Sequence, residues 1–210
     1  MSTDAPAWAG SYAPGVPLRL DYPDATVLDL FEQAAAAHPE AVALDFMGGS
    51  TTYAETAGAV ERVAGGLRAL GVGPGDAVAL VMPNCPQNVI AFLAVLRLGA
   101  TVVEHNPLYT AGELRGPFAD HGATVAVVWD KVANVVGSLK GDCALEHVVS
   151  VDMTQELPLA KRLLLRLPIA KARASRAQLH APAPDTVAWR DLLGSAPLDE
   201  SHPRPVAADV

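Results

Sequence analysis

Four largely apolar runs, over residues 77–82, 101–103, 125–129 and 147–151, give the chain its clearest rhythm. Their starts fall near residues 77, 101, 124 and 147, so 23 or 24 residues separate each from the next. Between them lie segments with helical end signals. Pro86 opens one that Gly99 closes, and Thr110-Ala-Gly-Glu113 is a capping box for another that ends at Gly122. A third helix is expected near 132–139. Strands that do not alternate must be covered on both faces, and the spacing leaves room for one crossover helix each. The pattern predicts a doubly wound α/β fold with a mostly parallel sheet.

Upstream, residues 1–25 are rich in Pro, Gly and Ala and read as an extended arm, which also leaves room for packing against a second copy in a homodimer. Thr26-Val-Leu-Asp29 is a variant capping box that starts a helix running to about Ala37, before Pro39. Residues 41–47 and 51–53 form a short hairpin around Gly48-Gly-Ser50. A long helix follows over 54–70, with Val60, Val63, Ala64, Leu67 and Leu70 at helical spacing and Gly71 at its end. After Asp152 the texture changes. Prolines at 158, 168, 182, 184, 197, 203 and 205 leave only short patches such as 189–193. Three parts are therefore expected: the arm, an α/β unit over 26–152, and an irregular insert and connector over 153–210.

Composition and charge narrow the function classes. Half of the 210 residues are hydrophobic and 18% are charged, which excludes a disordered acidic chain. Aromatics make up 5%, so Ala, Val and Leu must build the core. The net charge of −8 argues against nucleic acid as a partner. Cys85 and Cys143 form no CxxC pair, and neither a secretory signal nor a membrane-spanning run is visible, so a cytoplasmic protein is expected. One stretch departs from the acidic balance. Lys161, Arg162, Arg166, Lys171, Arg173 and Arg176 lie between 157 and 184 without a single acid, leaving 9 basic against 23 acidic residues elsewhere. Leu163, Leu164, Leu165, Leu167 and Ile169 interleave with these cations. Such a segment suits peripheral contact with an anionic membrane, at the inner face of the cell membrane. It equally suits a solvated cover whose leucines pack on the domain, and both readings stay open.

The glycine-bearing loops do not read as nucleotide sites. Gly71-Val-Gly-Pro-Gly75 follows a helix and precedes a strand, the reverse of a dinucleotide fingerprint, and no Lys follows Gly48-Gly-Ser-Thr-Thr52. No GxSxG or HExxH occurs, and the six histidines are scattered, so no metal ligand is assigned. Position is more informative. Ligands of doubly wound sheets bind outside the carboxyl ends of the strands, which here carry Asn84 and Cys85, Glu104, His105 and Asn106, Asp130, and Asp152. Asn84 and Asp130 read first as helix caps. Glu104, His105 and Asn106, an acid and an imidazole leaving the sheet together, are the substrate-site candidates. A self-sufficient α/β module using this end to bind a small ligand or a protein is the alternative function.

Across residues 26–152 the chain resembles the N-terminal region of AMP-forming acyl-CoA synthetases, the adenylate-forming superfamily, and bacterial long-chain fatty-acid–CoA ligases in particular. The resemblance is carried by Thr52-Tyr-Ala-Glu-Thr56, Gly71-Val-Gly-Pro-Gly-Asp76, Met82-Pro-Asn-Cys-Pro86, Arg97-Leu-Gly-Ala-Thr101 and His105-Asn-Pro-Leu-Tyr-Thr-Ala-Gly-Glu-Leu114. Thr56 departs from the pattern, where the family has Leu. The resemblance implies a parent enzyme that uses ATP and magnesium to convert a fatty acid to an acyl-adenylate and pyrophosphate, then passes the acyl group to CoA. It also implies what residues 1–210 lack. The family's Ser/Thr/Gly-rich loop with Gly-x-Pro-Lys has no match, and the chain ends at Ala207-Ala-Asp-Val210, near where that loop is expected. No catalytic, cofactor-binding or metal-binding residue carries over, and the segment is expected to be an inactive scaffold.

Overall fold

The computed structural model describes residues 6–199 and 201–208. Helix α1 (Val27–Ala37) leads into the antiparallel hairpin of β1 (Val42–Phe46) and β2 (Gly49–Thr52), and then into the long α2 (Tyr53–Ala69). The main sheet is built from β3 (Ala77–Val81), β4 (Thr101–Glu104), β5 (Val125–Trp129), β6 (His147–Val151) and β7 (Val187–Ala188). Between the first four strands lie α3 (Pro86–Arg97), α4 (Ala111–His121) and α5 (Ala133–Gly137). Helices α6 (Leu159–Leu165), α7 (Ala170–Leu179) and α8 (Trp189–Leu193) complete the fold. All sheet pairings are parallel, in the order β4-β3-β5-β6-β7. The first crossover runs one way from β3 and the later ones the other way, so the strand order reverses beside β3.

The apolar runs lack alternation because each strand has a core on both faces. Val78 and Leu80 face the layer of α2, α3 and α8, while Ala79 and Val81 face α4 and α5. The helix ends follow the capping chemistry read from the sequence. Thr26 with Asp29 and Thr110 with Glu113 form reciprocal capping boxes, and Gly122 closes α4 at φ +64°, where a side chain would be strained. Thr52 and Glu55 form a third such box, so the Thr-Tyr-Ala-Glu motif starts α2 one residue earlier than periodicity suggests. Thr56, the departure from the family pattern, is fully buried and donates its hydroxyl to the Thr52 carbonyl at 2.8 Å.

Two stretches differ from expectation. The helix near 132–139 contracts to a 3-10 turn at Asp130–Val132 followed by α5, because Val132, Val135, Val136 and Gly137 are weak helix formers. The segment after Asp152 is more ordered than its prolines suggested. Pro158 sits at the N-cap of α6 and Pro168 in the link before α7, so both mark boundaries and neither interrupts a helix. Alanine, leucine, arginine and lysine between them favour helix. The chain then returns to the core: Val187 pairs with Val149, and Trp189, Leu192 and Leu198 are buried against α2 and its neighbours. A two-residue strand offers no periodicity to read.

Candidate functional site

Two clefts open at the carboxyl ends of the strands. The first, of about 280 Å³, lies over β3 and β4 and is lined by Asn84, Asn88, Glu104, His105 and Asn106 among others. The three substrate-site candidates therefore share one cleft, and each has its own contacts there. The His105 ring stacks on Phe118 with centroids 5.1 Å apart, and its Nε2 lies 3.1 Å from Nε2 of His121. His121 Nδ1 accepts the Ala123 N–H at 3.0 Å, so the neutral His121 ring carries its proton on Nε2 and donates to His105. Burial holds both imidazoles below their ordinary pKa, with the neighbouring His105 adding to the effect on His121. Asn106 Oδ1 accepts the Leu108 N–H and shapes the loop. No hydrogen bond joins Glu104 to His105 among the described residues. Neither Asn84 nor Asp130 caps a helix: α3 starts at Cys85 without a side-chain cap, and Trp129 is the N-cap before the 3-10 turn. The Cys85 thiol is pushed up to about 11 by burial, which favours the thiol over the thiolate at neutral pH.

The second cleft, of about 410 Å³, lies over β5 and β6 and brings in residues that the sequence reading did not connect. Asp130, at the end of β5, is 4% exposed. Its carboxylate accepts the Nδ1–H of His180 and, through Oδ1, the Ala181 N–H at 3.2 Å. Asp152, at the end of β6, places Oδ2 3.5 Å from the same His180 nitrogen. Asp152 also accepts from Thr154 N at 2.9 Å, from Thr154 Oγ1 at 2.6 Å and from Gln155 Nε2 at 3.0 Å. Burial raises the Asp130 carboxyl above the ordinary range despite its His180 partner. For Asp152 burial is the largest single influence and acts upward, but the Thr154 and Gln155 donors together outweigh it and hold the carboxyl low. His180 follows α7 and reaches this site only because α6 and α7 fold back across the sheet end. A lone His fifty residues beyond Asp130 carries no local signal for that.

The basic segment divides in a similar way. Lys161 donates to the Met47 carbonyl at 2.6 Å and Arg162 to Gln155 Oε1 at 2.6 Å, so both hold α6 to the body. Arg166 lines the second cleft, and the Arg173 side chain reaches the Pro168 carbonyl at 3.5 Å. Lys171 and Arg176 stand exposed on α7. Most of the interleaved apolar residues do not pack inward: Leu163, Leu164, Leu167 and Ile169, with Leu159 before them, are between 44% and 68% exposed, whereas Leu165 is half-buried.

The glycine loops are closed by the chain's own contacts. A Cβ on Gly49 would come within 2.3 Å of the Glu156 carbonyl oxygen, so that turn is filled by the chain itself. The Gly73 N–H is bonded to the Asp76 carboxylate at 2.8 Å.

Fold and clefts together define a doubly wound α/β unit with two clefts at the carboxyl ends of its parallel strands. Residues 31–193 match the family model of the AMP-binding enzymes, and the chain belongs to that family. It is 31% identical over 189 residues to a long-chain-fatty-acid–CoA ligase of Escherichia coli O157:H7, covering 89% of this chain and 33% of that one. It is 30% identical over 160 residues to the ligase of the same description from Bacillus subtilis (strain 168), covering 76% and 29%. A solved long-chain-fatty-acid-CoA ligase from Archaeoglobus fulgidus superposes with a TM-score of 0.57 at 27% identity, over 63% of this chain and 28% of that one. The chain thus spans about a third of the length of the curated relatives it matches.

Proposed function

We propose that this chain is the N-terminal scaffold of an AMP-forming long-chain fatty acid–CoA ligase, and that residues 1–210 alone carry out no adenylation. The observation that carries the reading is the family match over 31–193 in a chain that spans only a third of its relatives. Adenylation of a carboxylate develops charge on a transferred phosphorus, which must be met by a metal, cations and backbone donors. The described residues supply none of these as a set, and no step through ATP, magnesium or CoA is assigned to them. In the parent enzyme, fatty acid, ATP with magnesium, and CoA are the substrates and cofactors. The sheet and its α2–α3 layer supply a rigid wall on which those sites assemble. An ATP–pyrophosphate exchange assay with palmitate is expected to show only background for residues 1–210. Exchange above background by this chain alone would overturn the scaffold reading.

A second reading concerns location, and the exposed leucines of α6 and its link to α7 favour it. Among the described residues no helix is long and apolar enough to cross a membrane. Leucines left outside the core, beside six cations and no acids, suit shallow insertion into an anionic lipid surface. Each cation near such a surface contributes about 1 kcal/mol, so removing three weakens partition roughly a hundredfold. Co-sedimentation with phosphatidylglycerol vesicles is expected for the native chain and strongly reduced in Lys171→Ser/Arg173→Ser/Arg176→Ser. Equal sedimentation of the two, or none by the native chain, removes the membrane role.

A further inference from the structure

We propose that Asp130, Asp152 and His180 form a binding site for one divalent transition-metal cation of the Zn²⁺ or Mn²⁺ type, open to the 410 Å³ cleft. This goes beyond the ligase reading and does not rest on it. The three side chains come from the ends of β5, β6 and α7, and one donor atom from each lies within 4.8 Å of the others. Around a tetrahedral zinc, bonds of about 2.0–2.2 Å hold neighbouring ligand atoms roughly 3.3 Å apart. The Asp152–His180 separation is already 3.5 Å and the Asp130–His180 contact is shorter. When the His180 proton shifts from Nδ1 to Nε2, the Nδ1 lone pair is freed and small rotations convert the cluster to a coordination geometry.

Two features argue for a cation over a plain ion-pair clamp. First, a single Nδ1–H is all that His180 offers to two converging carboxylates, one of them on Asp130, which is 4% exposed. No salt bridge joins either carboxylate to Arg166, the guanidinium that lines the same cleft. Two carboxylates and a neutral imidazole balance a divalent charge. Second, the carboxylates are already oriented from behind, by the Ala181 N–H on Asp130 and by Thr154 and Gln155 on Asp152, as outer partners orient metal ligands. The cleft also offers an open side for a further ligand. Glu156 lines it, as does Trp189, which is 4% exposed and whose Nε1–H has no partner. An imidazole in the set favours zinc or manganese over magnesium or calcium, which prefer oxygen. Bound there, the cation fastens the end of α7 to the carboxyl edge of the sheet.

The test is isothermal titration of untagged, EDTA-treated residues 1–210 with Zn²⁺, Mn²⁺, Mg²⁺ and Ca²⁺. One Zn²⁺ and one Mn²⁺ per chain are expected, with Mg²⁺ and Ca²⁺ at least tenfold weaker. Manganese serves because it does not seek Cys85 or Cys143. His180→Gln and Asp152→Asn, both at partly exposed positions, are expected to lower affinity tenfold or more with near-UV circular dichroism unchanged. Asp130→Asn should do the same, and because it lies in the core the other two variants decide the matter. Absence of one-per-chain binding by both Zn²⁺ and Mn²⁺ overturns the site, as does unchanged affinity in folded His180→Gln and Asp152→Asn.

Discussion

Phe118→Ala is expected to cost about 4 kcal/mol of folding stability, within the range of roughly 3–5 kcal/mol for truncating a buried aromatic. Phe118 has no exposed surface and sits with Leu114 on the face of α4 that covers Ala79, Val81 and Ala126. The hole it leaves cannot easily collapse, because the sheet behind it is fixed on its other face by α2 and α3. Urea unfolding should show a lower midpoint with an unchanged slope. The same ring shields His105, at 5.1 Å, and His121, at 4.8 Å. Both imidazoles are held below the ordinary 6.5 in the folded chain, so as pH falls through that value the unfolded state takes up protons first. Native stability therefore declines on the acid side, and the loss is complete only below the folded pKa values. Opening the ring's site lets water reach His105, so the acid-side decline should be shallower in Phe118→Ala. An equal slope in both proteins would show that burial by Phe118 is not what depresses the imidazoles.

The same cluster shows how far the sequence could be read. The parallel sheet was legible because both-face burial leaves an apolar run with no alternation, and because capping boxes at Thr26 and Thr110 mark helix starts by chemistry alone. Glu104, His105 and Asn106 were correctly placed at a strand end, yet the partners of His105 were not visible. Phe118 and His121 reach it from α4, thirteen and sixteen residues on, and nothing in the spacing distinguishes a histidine pair from two isolated rings. The Asp130–Asp152–His180 cluster was harder still. Two of its members were named as strand-end acids, but His180 joins them only through the fold-back of α6 and α7. Long-range convergence leaves no period in a sequence, whereas local hydrogen bonding and one-sided burial do.

Glu61→Ala is expected to cost about 3 kcal/mol, whereas Arg97→Met, at the other end of the same ion pair, should change stability by less than about 1 kcal/mol. Arg97 closes α3 with its side chain 4% exposed, and its Nε lies 3.0 Å from Oε1 of Glu61 on α2. Breaking a buried pair from one side typically costs about 3–5 kcal/mol, because the partner stays behind as an uncompensated charge. The low end applies here, since Glu61 is itself 35% exposed and water can partly replace it. Removing the guanidinium has the opposite logic. Arg97 already holds one nitrogen, NH1, buried without a partner, and methionine keeps the apolar stem that packs between the helices while removing that liability. The freed Glu61 carboxylate turns to solvent. In a double-mutant cycle the Glu61→Ala loss should therefore largely vanish in the Arg97→Met background, with a coupling of about 2 kcal/mol or more. Additive effects would mean that the guanidinium is hydrated and that apolar burial alone holds α2 to α3. Arg97 heads the Arg-Leu-Gly-Ala-Thr stretch that ends α3, and the cycle decides which of its two parts, charge or stem, locks the α2–α3 layer.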